Sequence, residues 1–454
     1  MTSAGFTRPV GARPPPLPPR GVQRKGVRAR GGLDTPRIAR AALYAISLYS
    51  AIVVPLMERG ASGSANEDNG NLLNQLVWLA LGLLTAALVA IDPKRFAIRP
   101  IVRTHAFLLA LMGWFVLSTL WSLSPDSTIR RVGLQIIIMS AVAICVVLVR
   151  EAKVIVNDIL QVLFIAALVN WVALVVLPPT ALGHAGIYLS KNNFGTFAAL
   201  MVLLGASRLA AGPMWMRLLS AFVVASGFVF LVVSAAKTSI GLAVLVPAMA
   251  FFILVFPLNR VHFAVPAALA GVMLLVTVIG ILVTFNLGTD DLFTFLFGDP
   301  TFTGRTTIWQ FVWSYVVNRP LIGYGFGGFW SIGNSSPVQQ SGVWWMKDII
   351  NQSHDLYLDI LVQGGIVALA LFFAHVGALA VYSNRLARWH WSDKMAIAAI
   401  LFYGLIYNLM DTTLLRSFNI VWIYFLVASY LIGVGPDAVT RTPEAAEAMS
   451  PTRR

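Results

Sequence analysis

Apolar positions along this chain come in long blocks rather than in alternation. Twelve such blocks can be drawn, at 39–57, 72–91, 105–121, 132–149, 154–177, 193–210, 218–235, 239–257, 263–286, 356–382, 395–411 and 418–434. Roughly 20 mostly apolar residues suffice for a helix to cross a bilayer. The pattern predicts an all-α polytopic membrane protein with about 12 transmembrane helices. Most connections are short. The one at 287–355 is long, and loops of that length are uncommon unless they have a function. Within it, Ile308, Phe311, Val312, Tyr315 and Val316 recur at helical spacing. They predict an amphipathic helix over 303–318, lying on the membrane surface. Pro320 and four glycines in "RPLIGYGFGGFW" (319–330) then end it.

Composition agrees. Of 454 residues, 58% are hydrophobic and 11% charged, and mean hydropathy is +0.77. Charge adds an orientation. Lys and Arg total 33; 24 fall on the side that carries both termini and nine on the other. Short cytoplasmic loops are rich in Lys and Arg, so both termini are expected in the cytoplasm. The domain plan is a basic tail at 1–38, a membrane domain at 39–434 with its long loop outside, and a second tail at 435–454. The net charge of +14 reflects this topology and points to no nucleic-acid partner. The proline-rich basic stretch 13–32 is expected to lie on anionic headgroups. The first apolar block starts too late and runs too long for a cleaved signal, so it reads as an anchor. Cys145 is the only cysteine, which excludes an intrachain disulfide and a thiolate metal site.

Candidate chemistry gathers outside the membrane. By this assignment span centres hold almost no ionisable side chains, which disfavours an ion-coupled transporter. The outer face carries Arg130, Arg131, Lys191, Lys237, Arg305, Arg319, Lys347 and Arg416. Singly, each fits an interfacial anchor; together they suit an anionic headgroup. Trp309, Trp313, Trp330, Trp344, Trp345, Phe326 and Phe329 fit either an aromatic belt or stacking on sugars. "GYGFGG" (323–328) lacks the strand and helix of a nucleotide loop and reads as tight turns beneath a substrate. In "NQSHDLYLDILVQGG" (351–365), His354 precedes a helix start. Ser353 or Asn351 is the expected cap, Asp355 or Asp359 the expected partner of the imidazole. Imidazole is suited to taking a proton near neutral pH; the alternative is a histidine that merely caps. No residue spacing suggests a metal or cofactor site.

"LSKNNFG" (189–195), "TGRTTIW" (303–309), "NRPLIGYGFGGFW" (318–330) and "SHDLYLDILVQGGI" (353–366), in this order, resemble the O-antigen ligase and Wzy-type polysaccharide polymerase superfamily, most closely its ExoQ-like exopolysaccharide polymerases. "LWSLSPDSTIRR" (120–131) fits the superfamily's early outer loop. The resemblance implies a GT-C-like, metal-independent glycosyltransferase of the bacterial inner membrane, working at the periplasmic face without a cofactor. The implied donor is a glycan on undecaprenyl diphosphate. The acceptor is a second lipid-linked glycan in a polymerase, or lipid A–core in a ligase; a lipid-linked oligosaccharide transporter is the remaining alternative. Membrane lipids, a flippase and a chain-length regulator are the implied partners. Carried over, His354 is the base on the acceptor hydroxyl and Arg305 acts with it. Lys191, Asn192, Arg130, Lys237, Arg319, Trp330 and Asp355 are candidates for substrate binding. The superfamily often has Asn where this chain has Asp355, and His where it has Ser190.

Overall fold

The structure, a computed structural model, describes residues 34–61, 72–93, 95–96, 98–180, 183–255 and 304–435. Most of both expected tails, the predicted span 263–286 and the first part of the long loop lie outside these residues. Among the described residues the only bridge is an isolated one between Thr180 and Gly183; the rest of the regular structure is helical. In chain order the helices are α1 (Thr35–Leu48), α2 (Val54–Ala61), α3 (Leu72–Ile91), α4 (Ile98–Thr104), α5 (Ala106–Leu117), α6 (Pro125–Val149), α7 (Ala152–Val176), α8 (Lys191–Arg208), α9 (Met214–Ser234), α10 (Lys237–Val255), α11 (Arg305–Val316), α12 (Trp344–Ile349), α13 (Leu356–Tyr382), α14 (Trp391–Tyr407) and α15 (Ile420–Val434).

The chain is an all-α polytopic membrane protein. Six described stretches are long and apolar enough to cross a membrane. A seventh forms if α4 and α5, bent by 75°, make one broken span. Eleven of the predicted blocks coincide with helices. The pattern of exposure explains the layering. α15 is apolar on every side, and all its residues from Ile420 to Gly433 are buried; such a helix belongs at the centre. α7 and α9 instead show large apolar side chains outward, among them Val172, Val175 and Val232, as lipid-facing helices do. α8 and α9 approach closely through glycines. A Cβ on Gly227 would stand 3.0 Å from the Ala198 carbonyl oxygen, the small-residue contact common between membrane helices.

Two breaks in the helices hold the irregular connections in place. Between α1 and α2 the backbone widens into a π-turn over Tyr49–Val53. Pro55 follows, and it has no N–H to give the carbonyl four residues back. That carbonyl, Ala51, accepts from the Tyr188 hydroxyl instead, at 3.1 Å. The contact holds the irregular segment that leads into α8. The second break is in α13, where Gly365 adopts φ 68, ψ −170. The carbonyls of Val362 and Gln363 accept from the N–H groups of Tyr324 and Gly325, each at 2.9 Å. The Gly364 carbonyl takes the Trp114 indole N–H at 2.8 Å, and Ile366 N–H donates to Pro320 at 2.8 Å. The glycine-rich loop is therefore a brace laid against an interrupted helix, built of tight turns with Gly323, Gly325 and Gly327 at positive φ. It needs glycine for space: a Cβ on Gly323 would lie 2.6 Å from the Gln363 carbonyl carbon.

The predicted amphipathic helix is present as α11, with Ile308, Val312 and Val316 buried. Its apolar stripe is covered by protein: Phe329, Tyr324, Met346 and Val362 belong to the same cluster. Span interiors are also less free of titratable groups than expected. His105 and His375 are buried, with ring centroids 5.3 Å apart.

Gly365→Ala tests the brace. Its Cβ would stand 2.1 Å from the Leu321 oxygen, in a backbone region that costs other residues about 1–3 kcal/mol before any clash. A clear fall in the detergent melting temperature is expected. Gly377→Ala, on the same helix with nothing within 4 Å, is the control and should melt as the parent does. Equal melting of the two variants contradicts the brace.

Candidate active site

His354 lies in the turn 350–355 that opens α13, with φ 55, a left-handed value that non-glycine residues seldom adopt. The turn is tied down on several sides. The Trp309 indole of α11 donates to the Ser353 carbonyl at 3.0 Å. Ser353 N–H donates to Asp359 at 3.1 Å, and Arg416 donates to the Asn351 carbonyl at 2.9 Å. Asp355 caps α13, accepting from Tyr357 and Leu358 N–H at 2.8 and 3.0 Å. It fills the role expected of Ser353 or Asn351. Ser190 caps α8 in the same way, from Asn193 N–H at 3.2 Å. Both positions where this chain departs from the superfamily pattern are thus helix caps.

The carboxylate facing His354 is Asp411, neither Asp355 nor Asp359. Nδ1 lies 3.3 Å from Asp411 Oδ1. Asp359 is occupied by the Trp330 indole at 2.9 Å and by Ser353. Asp411 sits in the turn after α14. Gln352 (3.0 Å), Thr412 N–H (2.9 Å) and the Tyr407 hydroxyl (2.9 Å) also donate to it. Asn408 shapes that turn, accepting from Thr413 and Leu414 N–H. Its own carbonyl takes Leu356 N–H, the first of α13, at 2.9 Å. Burial pushes the Asp411 carboxyl up, but the hydrogen bond and charge of His354 outweigh it and hold the group below the usual carboxylate range. The Gln352 amide nitrogen also lies 3.1 Å from Nδ1, but as a donor it serves Asp411 and not an Nδ1 that itself carries a proton. With the proton on Nδ1 and shared with Asp411, Nε2 keeps its lone pair and serves as an acceptor. The imidazole is a quarter exposed and the carboxylate 5%.

Arg305 belongs to the same cluster. It opens α11 after Gly304 (φ 78) and is 9% exposed. Burial pushes its guanidinium down, and the nearby Asp411 and Tyr407 pull it back. α8 and α10 reach the cluster through their second and first turns. Thr196 faces Tyr403 and Tyr407, and Ser239 faces Tyr403. Lys191 and Lys237 are the first residues of those two helices, with Asn192 second in α8. α8, α10 and α11 each begin with a cation and have no acid in the first turn; of the three cations, Arg305 is the one beside Asp411. The helix dipole favours the opposite arrangement.

Other candidates stand apart. Arg319 lies beyond the far end of α11, its guanidinium 4.8 Å over the Tyr324 ring. Trp330 is 4% exposed and packs edge-on to Phe329, so it offers no open face to a sugar. Arg131, next to Arg130, ties the Trp330 and Ser331 carbonyls at 2.8 Å. Trp344 and Trp313 are open, 81% and 54% exposed. Among the described residues no group of three or more His, Cys, Asp or Glu is placed to hold a metal; Asp290 and Asp291 lie outside them.

Asp411 has a pH signature. A carboxyl depressed on folding stabilises the fold above its unfolded pKa, and that contribution is lost as pH falls through the folded value. Asp411→Asn removes the charge at every pH. The variant should melt below the parent near neutrality and the gap should close in acid. Melting curves from neutral pH downward read this directly; a gap that widens in acid contradicts the assignment.

Comparison with known proteins agrees with the resemblance read from the motifs. No curated protein matches the chain. Residues 221–373 match the family model Wzy_C, described as O-antigen ligase. That stretch runs from α9 through most of α13 and includes both Arg305 and His354. Over that stretch, 153 of the 454 residues, the chain is similar to the O-antigen ligase family.

Proposed function

We propose that this membrane protein is a polysaccharide polymerase. It joins oligosaccharide repeats carried on undecaprenyl diphosphate, as a GT-C-like glycosyltransferase at the periplasmic face of the bacterial inner membrane, with both termini cytoplasmic. The observation that supports this reading is buried Arg305 at the start of α11 beside the Asp411–His354 pair, with α8 and α10 also beginning on a lysine. Local rules are broken at functional sites more than elsewhere. A diphosphate is a ligand whose negative charge suits cations at helix starts.

The chemistry follows from the geometry. The acceptor hydroxyl gives its proton to His354 Nε2 while Asp411 steadies the imidazolium. The hydroxyl oxygen attacks the anomeric carbon, and the bond from that carbon to the diphosphate oxygen breaks. Negative charge grows on the leaving diphosphate. Preorganised cations in a poorly hydrated site stabilise it most in the transition state. Arg305 provides a planar fork that lysine lacks. No step uses a metal. A flippase that delivers the repeats and a chain-length regulator are the partners this role requires.

The family description favours a second reading, a ligase that transfers the glycan to lipid A–core. Product size separates the two. Purified protein given only lipid-linked repeats, in excess EDTA, should form a ladder of lengthening glycan. General-base help is worth about 10²–10⁴-fold, so His354→Gln should lose the ladder at normal protein level. A single transfer that occurs only when lipid A–core is added identifies a ligase. A normal ladder from His354→Gln removes the histidine from catalysis.

A further inference from the structure

α11 carries two exposed rows of side chains. Gln310, Ser314 and Asn318 form a polar row at four-residue spacing. Beside it Trp313 and Val317 form an apolar row, 54% and 57% exposed, and Leu321 (63%) and Ile322 prolong it past the helix end. The loop that bears them is fixed against two membrane helices. The Trp121 indole donates to the Ile322 carbonyl at 3.0 Å, and Ile366 N–H donates to the Pro320 carbonyl at 2.8 Å. Trp121 closes the short 3₁₀ turn that continues α5, and Ile366 follows the break in α13. From these contacts inward, both helices turn apolar side chains outward. Leu109, Val116 and Leu120 share one face of α5 and its continuation, and Ile366 and Phe373 share one face of α13; all five are exposed.

We propose that Trp313, Val317, Leu321 and Ile322 seat this loop in the interfacial layer of the bilayer, as a continuation of the lipid-facing surface of α5 and α13. Large apolar side chains exposed together mark an interaction surface, and the surface that adjoins this one already meets lipid. Tryptophan favours the headgroup level of a membrane. Arg319 stands between Val317 and Leu321 in the chain, its guanidinium over the Tyr324 ring. A cation in that place keeps its stem against lipid and its head among the headgroups. The neighbouring polar row then faces water, so the exposed side of α11 has the two-sided character of an interfacial helix. The contact is made by a different face from the stripe of Ile308, Val312 and Val316, which is buried in protein. A soluble partner would not require the patch to run on into the spans. The inference rests on exposure and packing, and is independent of the proposed reaction.

Spin labels on the full chain, in nanodiscs of phosphatidylethanolamine and phosphatidylglycerol, test this. The label is attached at Val317→Cys or Leu321→Cys in a Cys145→Ala background. Val172→Cys on lipid-facing α7 and Gln310→Cys on the polar row of α11 are the references. Collision with oxygen, which concentrates in lipid, is compared with collision with a water-soluble nickel chelate. The oxygen-to-nickel ratio at positions 317 and 321 should approach that at 172 and exceed that at 310 several-fold. A ratio at either position as low as that at 310 shows contact with water and overturns the seat. Low collision with both reagents at either position shows that another part of the chain, or a second copy, covers the patch, and overturns it equally. Cys145 is buried, so the parent background serves if Cys145→Ala does not fold.

Discussion

A cation at the first residue of a helix stands in the helix's own positive field. This chain accepts that cost at Lys191, Lys237 and Arg305, the last of them beside Asp411. Arg305 bears a second cost, because it is buried and a buried charge must be compensated. Asp411 compensates part of it and at the same time faces His354. One carboxylate thus lies between the group proposed to bind the leaving diphosphate and the group proposed to take the acceptor proton. The proposed acceptor and donor halves of the site are joined through it.

The scaffold around that carboxylate is held by backbone and indole hydrogen bonds together with a packed cluster. The break at Gly365 frees carbonyls that the glycine-rich loop and Trp114 satisfy. The loop then carries Phe329 and Trp330 into the cluster beneath α11. Trp330 reaches Asp359, Asp359 reaches Ser353, and Ser353 meets Trp309. His354 is kept in its left-handed conformation by this chain of bonds. From the other side, Asn408 fastens the Asp411 turn to the first N–H of α13. The strain at His354 is of the kind that persists only where surrounding contacts over-determine it.

Much of this was legible in the sequence. Long apolar blocks located the helices because burial in lipid demands length and composition, both visible in one dimension. The 3.6-residue stripe of Ile308, Val312 and Val316 located α11. The motifs that carry His354 and Arg305 marked the two residues that the fold brings to one cluster. Asp411 was not legible. It falls at the end of an apolar block, where a lone aspartate looks interfacial, and it reaches His354 across 57 residues of chain. Asp355 and Asp359 were the nearer choices in sequence. Helix geometry sends one to a cap and the other inward to Trp330. The tryptophans misled for a related reason: composition cannot say which indole faces solvent, and Trp330 is buried while Trp344 is open. The cations at the starts of α8 and α11 were readable as exceptions, since Ser190 and Gly304 mark where those helices begin.

The central claim is a division of labour, with cations at three helix starts holding the diphosphate and His354 serving the acceptor. Binding of undecaprenyl diphosphate alone to purified variants tests it most directly, because that ligand fills the donor side without turnover. Charge-assisted hydrogen bonds of about 1.5–3 kcal/mol correspond to losses of roughly tenfold or more. Lys191→Ala, Lys237→Ala and Arg305→Ala should each weaken binding to that extent, while His354→Gln should bind as the parent does. Parent-like affinity in all three cation variants, or affinity lost in His354→Gln alone, contradicts the account.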